Sequence, residues 1–151
     1  MLRPITKFSL EKHAGPYHTW GTSSALCIDG VLTGKQVPGF LIEGQYARDD
    51  LSVLITSYDC PFEEAQNFLL LNAECNVISE LFLGQMFGSY LLMKNYLIGD
   101  GEVALEFAGY DVPWILHVDP NWWPANQKMW LQRPSCQSPV KPDGPSLPSG
   151  R

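Results

Sequence analysis

LSVLITSYDCPFEEAQNFLLLN, Leu51–Asn72, decides the fold. Two apolar runs, LSVLITSY and QNFLLLN, are rich in Val, Ile, Leu, Phe and Tyr and too short for typical helices. A polar segment with a proline and three carboxylates parts them, so both read as strands. FLLL is apolar without alternation, which places its strand centrally, covered on both faces. Working outward, FLIEGQYA (Phe40–Ala47) precedes the first run across the short link RDD, and NVISELFL (Asn76–Leu83) follows the second across AEC. SYLLMKNYLI (Ser89–Ile98), GEVALEFAG (Gly101–Gly109) and VPWILHVD (Val112–Asp119) continue the pattern, joined through GDG and GYD. Short runs separated by Gly, Asp and Asn predict an antiparallel meander. In VALEF the alternation turns Glu102 and Glu106 toward solvent on one face.

The N-terminal third has weaker punctuation. ITKFSLE reads as an edge strand, HAGPYHTWG as a loop and SSALCIDG as another strand. Asp59 and Pro61 favour at most one helical turn at the start of CPFEEAQ. NWWPANQKMW reads as a loop-rich aromatic segment covering one end of the core. The tail Arg133–Arg151 holds five prolines in nineteen residues and few apolar side chains, so its ordering entropy is not offset by burial. The fold expected is mainly β, an antiparallel meander forming a β-sandwich or barrel with at most short helices. Residues 1–132 form one globular domain in this reading, and 133–151 a disordered Pro-rich tail.

No apolar run reaches the roughly 18 residues of a membrane helix, and MLRPITKF lacks the apolar stretch and cleavage site of a signal peptide. A soluble, cytoplasmic protein is expected. The formal charge of −6 is unevenly spread: from Gln36 to Asp119 thirteen acids face only Arg48 and Lys94, a net −11. The first 35 residues carry +2 and the last 32 carry +3. Such a middle repels nucleic acid and anionic membranes and attracts a basic partner.

Residues able to do chemistry are present, but their spacing argues against a reaction. Cys60 sits among Asp59, Glu63 and Glu64, which oppose the thiolate a nucleophile needs. Cys27, Cys60, Cys75 and Cys136 form no CxxC pair, and the chain carries no export signal, so a zinc site or a disulfide framework is not expected. His13 and His18 are five residues apart on a Gly-Pro loop, and His117 lies in a strand facing away from Leu116 and Val118. Neither arrangement is a metal-ligand spacing. The pairs Asp49–Asp50 and Glu63–Glu64 fall at hairpin ends, and adjacency alone does not place two carboxylates across a substrate. Phosphate-cradling glycines, a nucleophile elbow, a dinucleotide fingerprint and calcium loops are all missing, so no cofactor, metal or catalytic residue is assigned. Trp114, Trp122, Trp123 and Trp130 form either a core-closing cluster or a platform for a carbohydrate or peptide.

The stretch LSVLITSYDCPFEEAQNFLLLNAECNVISE, within an acidic β-rich body spanning Phe40–Asp119, resembles small bacterial immunity proteins, the cytosolic antidotes of polymorphic and contact-dependent toxins. The N-terminal third and the Pro-rich tail depart from that pattern, and no residue is carried over position by position. The resemblance implies a non-catalytic protein that occludes one cognate toxin domain, whose surface is expected to be basic. The charge distribution assigns the contact to Asp49, Asp50, Asp59, Glu63 and Glu64, with Tyr58 and Phe62 as anchors. The competing expectation is a β-sandwich module that binds a small ligand through the C-terminal tryptophans. An enzyme centred on Cys60 or His117 is the third.

Overall fold

The computed structural model describes residues 1–58, 65–84, 90–119 and 128–134, and the chain divides into two compact units, Met1–Ser89 and Tyr90–Arg151. The protein is mainly β and antiparallel throughout these residues, as its sequence predicts. Most of the tail, from 135 onward, and the CPFEE segment lie outside the described residues. Among the described residues no helix is long and apolar enough to cross a membrane.

The first unit contains β1 (Arg3–Pro4), β2 (Phe8–Leu10), β3 (Ser23–Ile28), β4 (Val31–Pro38), β5 (Leu41–Arg48), β6 (Leu51–Ser57), β7 (Gln66–Leu71) and β8 (Val77–Leu83). A five-stranded sheet runs β1-β5-β6-β7-β8, and a three-stranded sheet runs β2-β3-β4. The run from β5 to β8 is the expected meander. β6 and β7 are its centre: Val53, Leu54, Ile55 and Phe68–Leu71 are all fully buried, so both faces of these strands are covered. Continuous apolarity of FLLL thus reports two-sided burial. One of those faces packs the two sheets as a sandwich. Phe8, Leu26 and Val37 from the smaller sheet meet Leu54, Leu69 and Leu71 from the larger, with Cys75 at the margin. Alternating side-chain direction makes this possible, because Leu69 and Leu71 share a face that Leu70 does not.

β4 leaves little sequence signal. Val31 and Leu32 are exposed, and only Val37 is buried, so VLTGKQVP shows no strong apolar alternation. The signal lies instead in the preceding Asp29–Gly30, both at positive φ (50° and 82°), which turns β3 into β4 with Ile28 opposite Val31. Asp-Gly is a preferred pair for such a two-residue hairpin. Arg48 likewise faces Leu51 across Asp49–Asp50, with Asp49 at φ 54°.

Two devices fix the crossings between sheets. Near the N-terminus the chain passes from β1, in the large sheet, to β2, in the small one. The Gln45 side chain holds this passage: its Oε1 accepts from the Lys7 and Phe8 backbone N–H groups, and its Nε2 donates to Phe8 O. Further on, Gly39 carries the chain from β4 to β5 at φ 107°. A Cβ there would overlap the buried Thr56 side chain, whose hydroxyl donates to Pro38 O at 2.7 Å. Glycine is required at this corner on both counts.

The second unit is a four-stranded sheet in the order β12-β11-β10-β9, from β9 (Leu92–Gly99), β10 (Glu102–Phe107), β11 (Trp114–Val118) and β12 (Met129–Gln132). β9 starts at Leu92, three residues later than the sequence suggests. The loop-rich reading of NWWPANQKMW needs correction at its end, since Met129 and Trp130 belong to β12. Four residues are too few to show a strand period, but Met129 is buried while Trp130 is exposed. Val103, Leu105, Phe107, Trp114, Leu116 and Val118 are buried, and Trp114 packs edge-on against Tyr90, Phe107 and Tyr110. Burial, followed by the neighbouring Tyr90, pushes the Tyr110 phenol up to about 12.

Candidate functional site

The two ends of β6 carry very different groups. At the end where β6 leaves toward β7, five rings gather. Phe40, just past the Gly39 corner, meets His13, Tyr17, Trp20 and Tyr58 at centroid distances of 5.0 to 5.8 Å, all edge-on. His13 and Tyr17 each stack on Trp20, at 5.1 and 4.9 Å. Three separate segments supply these rings: the β2–β3 loop, the β4–β5 corner and the end of β6. The loop is ordered by local bonds. A 3-10 turn spans Tyr17–Thr19, Thr19 Oγ1 donates to Pro16 O at 2.6 Å, and Trp20 Nε1 donates to Gly15 O at 3.1 Å.

The polar edges of the rings are tied down as well. Tyr17 donates its hydroxyl to Tyr58 O at 3.2 Å. Ser24 Oγ donates to Gly39 O at 2.6 Å, so the same oxygen accepts from His13 Nε2–H at 2.9 Å, which fixes the histidine tautomer. Tyr17 keeps 49% of its surface exposed, while His13, Trp20, Phe40 and Tyr58 are half-buried. Rings that are held yet partly open form a ready apolar surface for another molecule, because little side-chain entropy remains to be lost on contact. Glu43 adds charge beside it, accepting from the Ser57 hydroxyl at 2.6 Å. Ser57 pairs with Gln66, so Tyr58 and Ala65, the residues flanking 59–64, both lie at this end.

At the opposite end of β6 there is a cleft of about 190 Å³, bordered by β1, β2, the Asp49–Asp50 turn and the turn after β7. Arg3, Lys7, Asp49 and Asp50 put charges of both signs around it, while Ile5, Phe8, Ala47 and Ala73 supply apolar wall. Asn72 shapes the far side: its Oδ1 accepts from the Glu74 and Asn76 N–H groups, and Cys75 follows at φ 65°.

The second unit presents a third polar arrangement, on the less buried face of its sheet. His117 stacks on Trp130 at 5.0 Å and 9°, its Nε2 lies 2.6 Å from Gln132 Oε1, and its Nδ1 lies 3.5 Å from a Glu102 oxygen. Tyr96 donates to Glu106 Oε2 at 2.6 Å, and that bond raises the phenol above its ordinary range. Both glutamates do lie on the more open face, but each carboxylate meets a side chain.

The expected contact residues are therefore divided. Asp49 and Asp50 border the cleft, Tyr58 belongs to the ring cluster, and eight residue steps along the strand, roughly 26 Å, separate Asp50 from Tyr58. Asp59, Phe62, Glu63 and Glu64 lie outside the described residues, as do Cys60, Cys136, Trp122 and Trp123. Cys27 and Cys75 are free and buried. His117 faces away from the buried Leu116 and Val118, as expected. Trp114 and Trp130 sit on opposite faces of the sheet, one buried and one exposed, so they form no common platform. Among the described residues no group of three or more His, Cys, Asp or Glu could hold a metal ion. Phe40, Tyr17 and Trp20 are the members that sequence reasoning passed over. The signal for Tyr17 and Trp20 was an aromatic-rich surface loop, GPYHTW, where a solvated loop has no need of large rings; Phe40, just past the Gly39 corner, carried no such local signal. Comparison of the chain with protein-family models, with curated proteins and with solved structures returned no match.

Proposed function

We propose that this chain is a non-catalytic acidic binding protein, an immunity protein that neutralises a cognate bacterial toxin domain by occluding its active or substrate-binding site. The observation that carries the reading is the five-ring cluster at one end of the first unit. Three chain segments hold those rings half-open beside Glu43, and the acidic segment with Asp59, Glu63 and Glu64 follows Tyr58 directly in sequence. Tyr and Trp anchors surrounded by charge are the usual composition of a tight protein contact: the rings slow dissociation and the charges speed encounter. A basic substrate-binding cleft is the partner surface that complements a net −11 between Gln36 and Asp119.

The test uses the toxin domain that this reading expects to be encoded beside the chain. Co-expression should rescue cells from that domain, and the purified proteins should form a stable complex. Replacing Asp59, Glu63 and Glu64 together by Lys should slow association and flatten its salt dependence, since steering charge acts mainly on the on-rate. Failure to bind or rescue would sink the immunity reading, and an unchanged salt dependence would move the contact elsewhere. The alternative, a module binding a carbohydrate or peptide through the C-terminal tryptophans, draws on the exposed Trp130 stacked beside His117 and Gln132. It predicts ligand quenching of tryptophan fluorescence with little dependence on salt.

A further inference from the structure

The cleft at the Asp49–Asp50 end is unlike the ring cluster, and toxin binding does not account for it. Arg3 and Lys7 bring positive charge to one small opening, and Asp49 and Asp50 bring negative charge to the same opening. Among the described residues no ion pair joins either cation to either acid. Opposite charges that border one space without closing on each other leave separate positive and negative sites, ready for a ligand that carries both signs.

We propose that this cleft binds a small zwitterion, a free α-amino acid with an apolar side chain. Its carboxylate would lie toward Arg3 and Lys7, its ammonium toward Asp49 and Asp50, and its side chain against Ile5, Ala47 and Ala73, because the Phe8 ring is buried in the core and carries the Lys7 ammonium over it at 5.3 Å. Size supports this class. A volume of about 190 Å³ lies below the range of about 300 Å³ upward that drug-sized ligands occupy. The walls are preformed. Arg3 pairs with Ala47 on β5, the strand that runs into Asp49, and Gln45 of the same strand pins the Lys7–Phe8 backbone. One strand thus sets the spacing between the cationic and anionic sides. Cys75 lines the opposite wall with a left-handed backbone, a conformation that non-glycine residues adopt at a cost.

The experiment is a calorimetric titration of the full chain with glycine, L-alanine and L-leucine, together with two analogues that each lack one charge, 4-methylpentanoate and 3-methylbutylamine. L-leucine should saturate one site with a Kd of about 1 mM or lower, ahead of alanine and glycine, because only its side chain reaches the apolar wall. Each analogue should bind at least about tenfold more weakly, as one pair of charges then stays unmet. Asp50→Asn and Arg3→Gln should each weaken leucine binding about tenfold, whereas Glu80→Gln on β8 should leave it unchanged. No binding by any of the three amino acids would overturn the proposal. So would equal binding of leucine and either analogue, or undiminished binding by Asp50→Asn and Arg3→Gln. The analogue series needs only the unmodified chain, so the test survives if a variant fails to fold. Toxin rescue reads the other end of β6, so failure of one reading is distinguishable from failure of the other.

Discussion

The two ends of β6 show how one scaffold can present two kinds of surface. At the Tyr58 end, rings from three segments lock against one another, and the Tyr17 hydroxyl, Trp20 Nε1 and His13 Nε2 are each hydrogen-bonded. At the Asp49 end, charges of both signs border a cleft without pairing. The first arrangement suits a large apolar partner surface, where a few buried rings supply most of the binding energy. The second suits a small charged ligand, where complementary charge and hydrogen bonds discriminate. Between them lie β6 and β7, buried on both faces.

Removing that shared core should abolish the distinction. Phe68→Ala deletes a fully buried ring and should cost about 4 kcal/mol in denaturant unfolding, weakening both ends together. A selective break comes next. Gly39→Ala puts a Cβ into Thr56 at a positive φ and should cost on the order of 3 kcal/mol. Chemical-shift changes should concentrate at His13, Trp20, Phe40 and Tyr58 and spare Asn72–Cys75. The matching break at the other end is Gln45→Ala, which removes three hydrogen bonds that hold Lys7 and Phe8. It should cost about 2 kcal/mol and raise amide exchange around Ile5–Phe8 while the ring cluster stays intact. If either variant perturbed both ends equally, the two surfaces would not be independent.

The smallest effect lies in the second unit. The Tyr110 phenol is pushed up to about 12, first by burial. Its neutral form is favoured in the folded state, so this contribution to stability is complete below the unfolded value near pH 10 and is lost as pH rises toward 12. Absorbance at 295 nm should show a phenol ionising late, and Tyr110→Phe should remove that late component without moving either end of β6.

How far the sequence revealed these features depends on what each one needs. FLLL disclosed a central strand because two-sided burial demands unbroken apolarity. The Leu116–His117–Val118 alternation disclosed which face His117 takes. β4 stayed hidden because an edge strand with a single buried residue needs no pattern, and β12 because four residues cannot display one. The ring cluster was legible only in part. Tyr58 stood out beside the acidic segment, but Phe40, Trp20 and His13 meet it through chain crossings set by Gly39 and by bonds within the loop, which no local period encodes. Asp49 and Asp50 read as members of the same acidic surface because charge counting ignores direction along a strand. The length of β6 separates them from Tyr58.

On the proposed immunity reading, the most direct test of the account is the affinity of the toxin domain it calls for toward two double variants, one at each end of β6. Tyr17→Ala with Tyr58→Ala should weaken binding at least about a hundredfold, almost wholly through faster dissociation. Asp49→Asn with Asp50→Asn should alter the Kd by no more than about threefold, through slower association alone. The reverse pattern, with the ring variants neutral and the aspartate variants severely impaired, would contradict the assignment of the partner surface to the aromatic end.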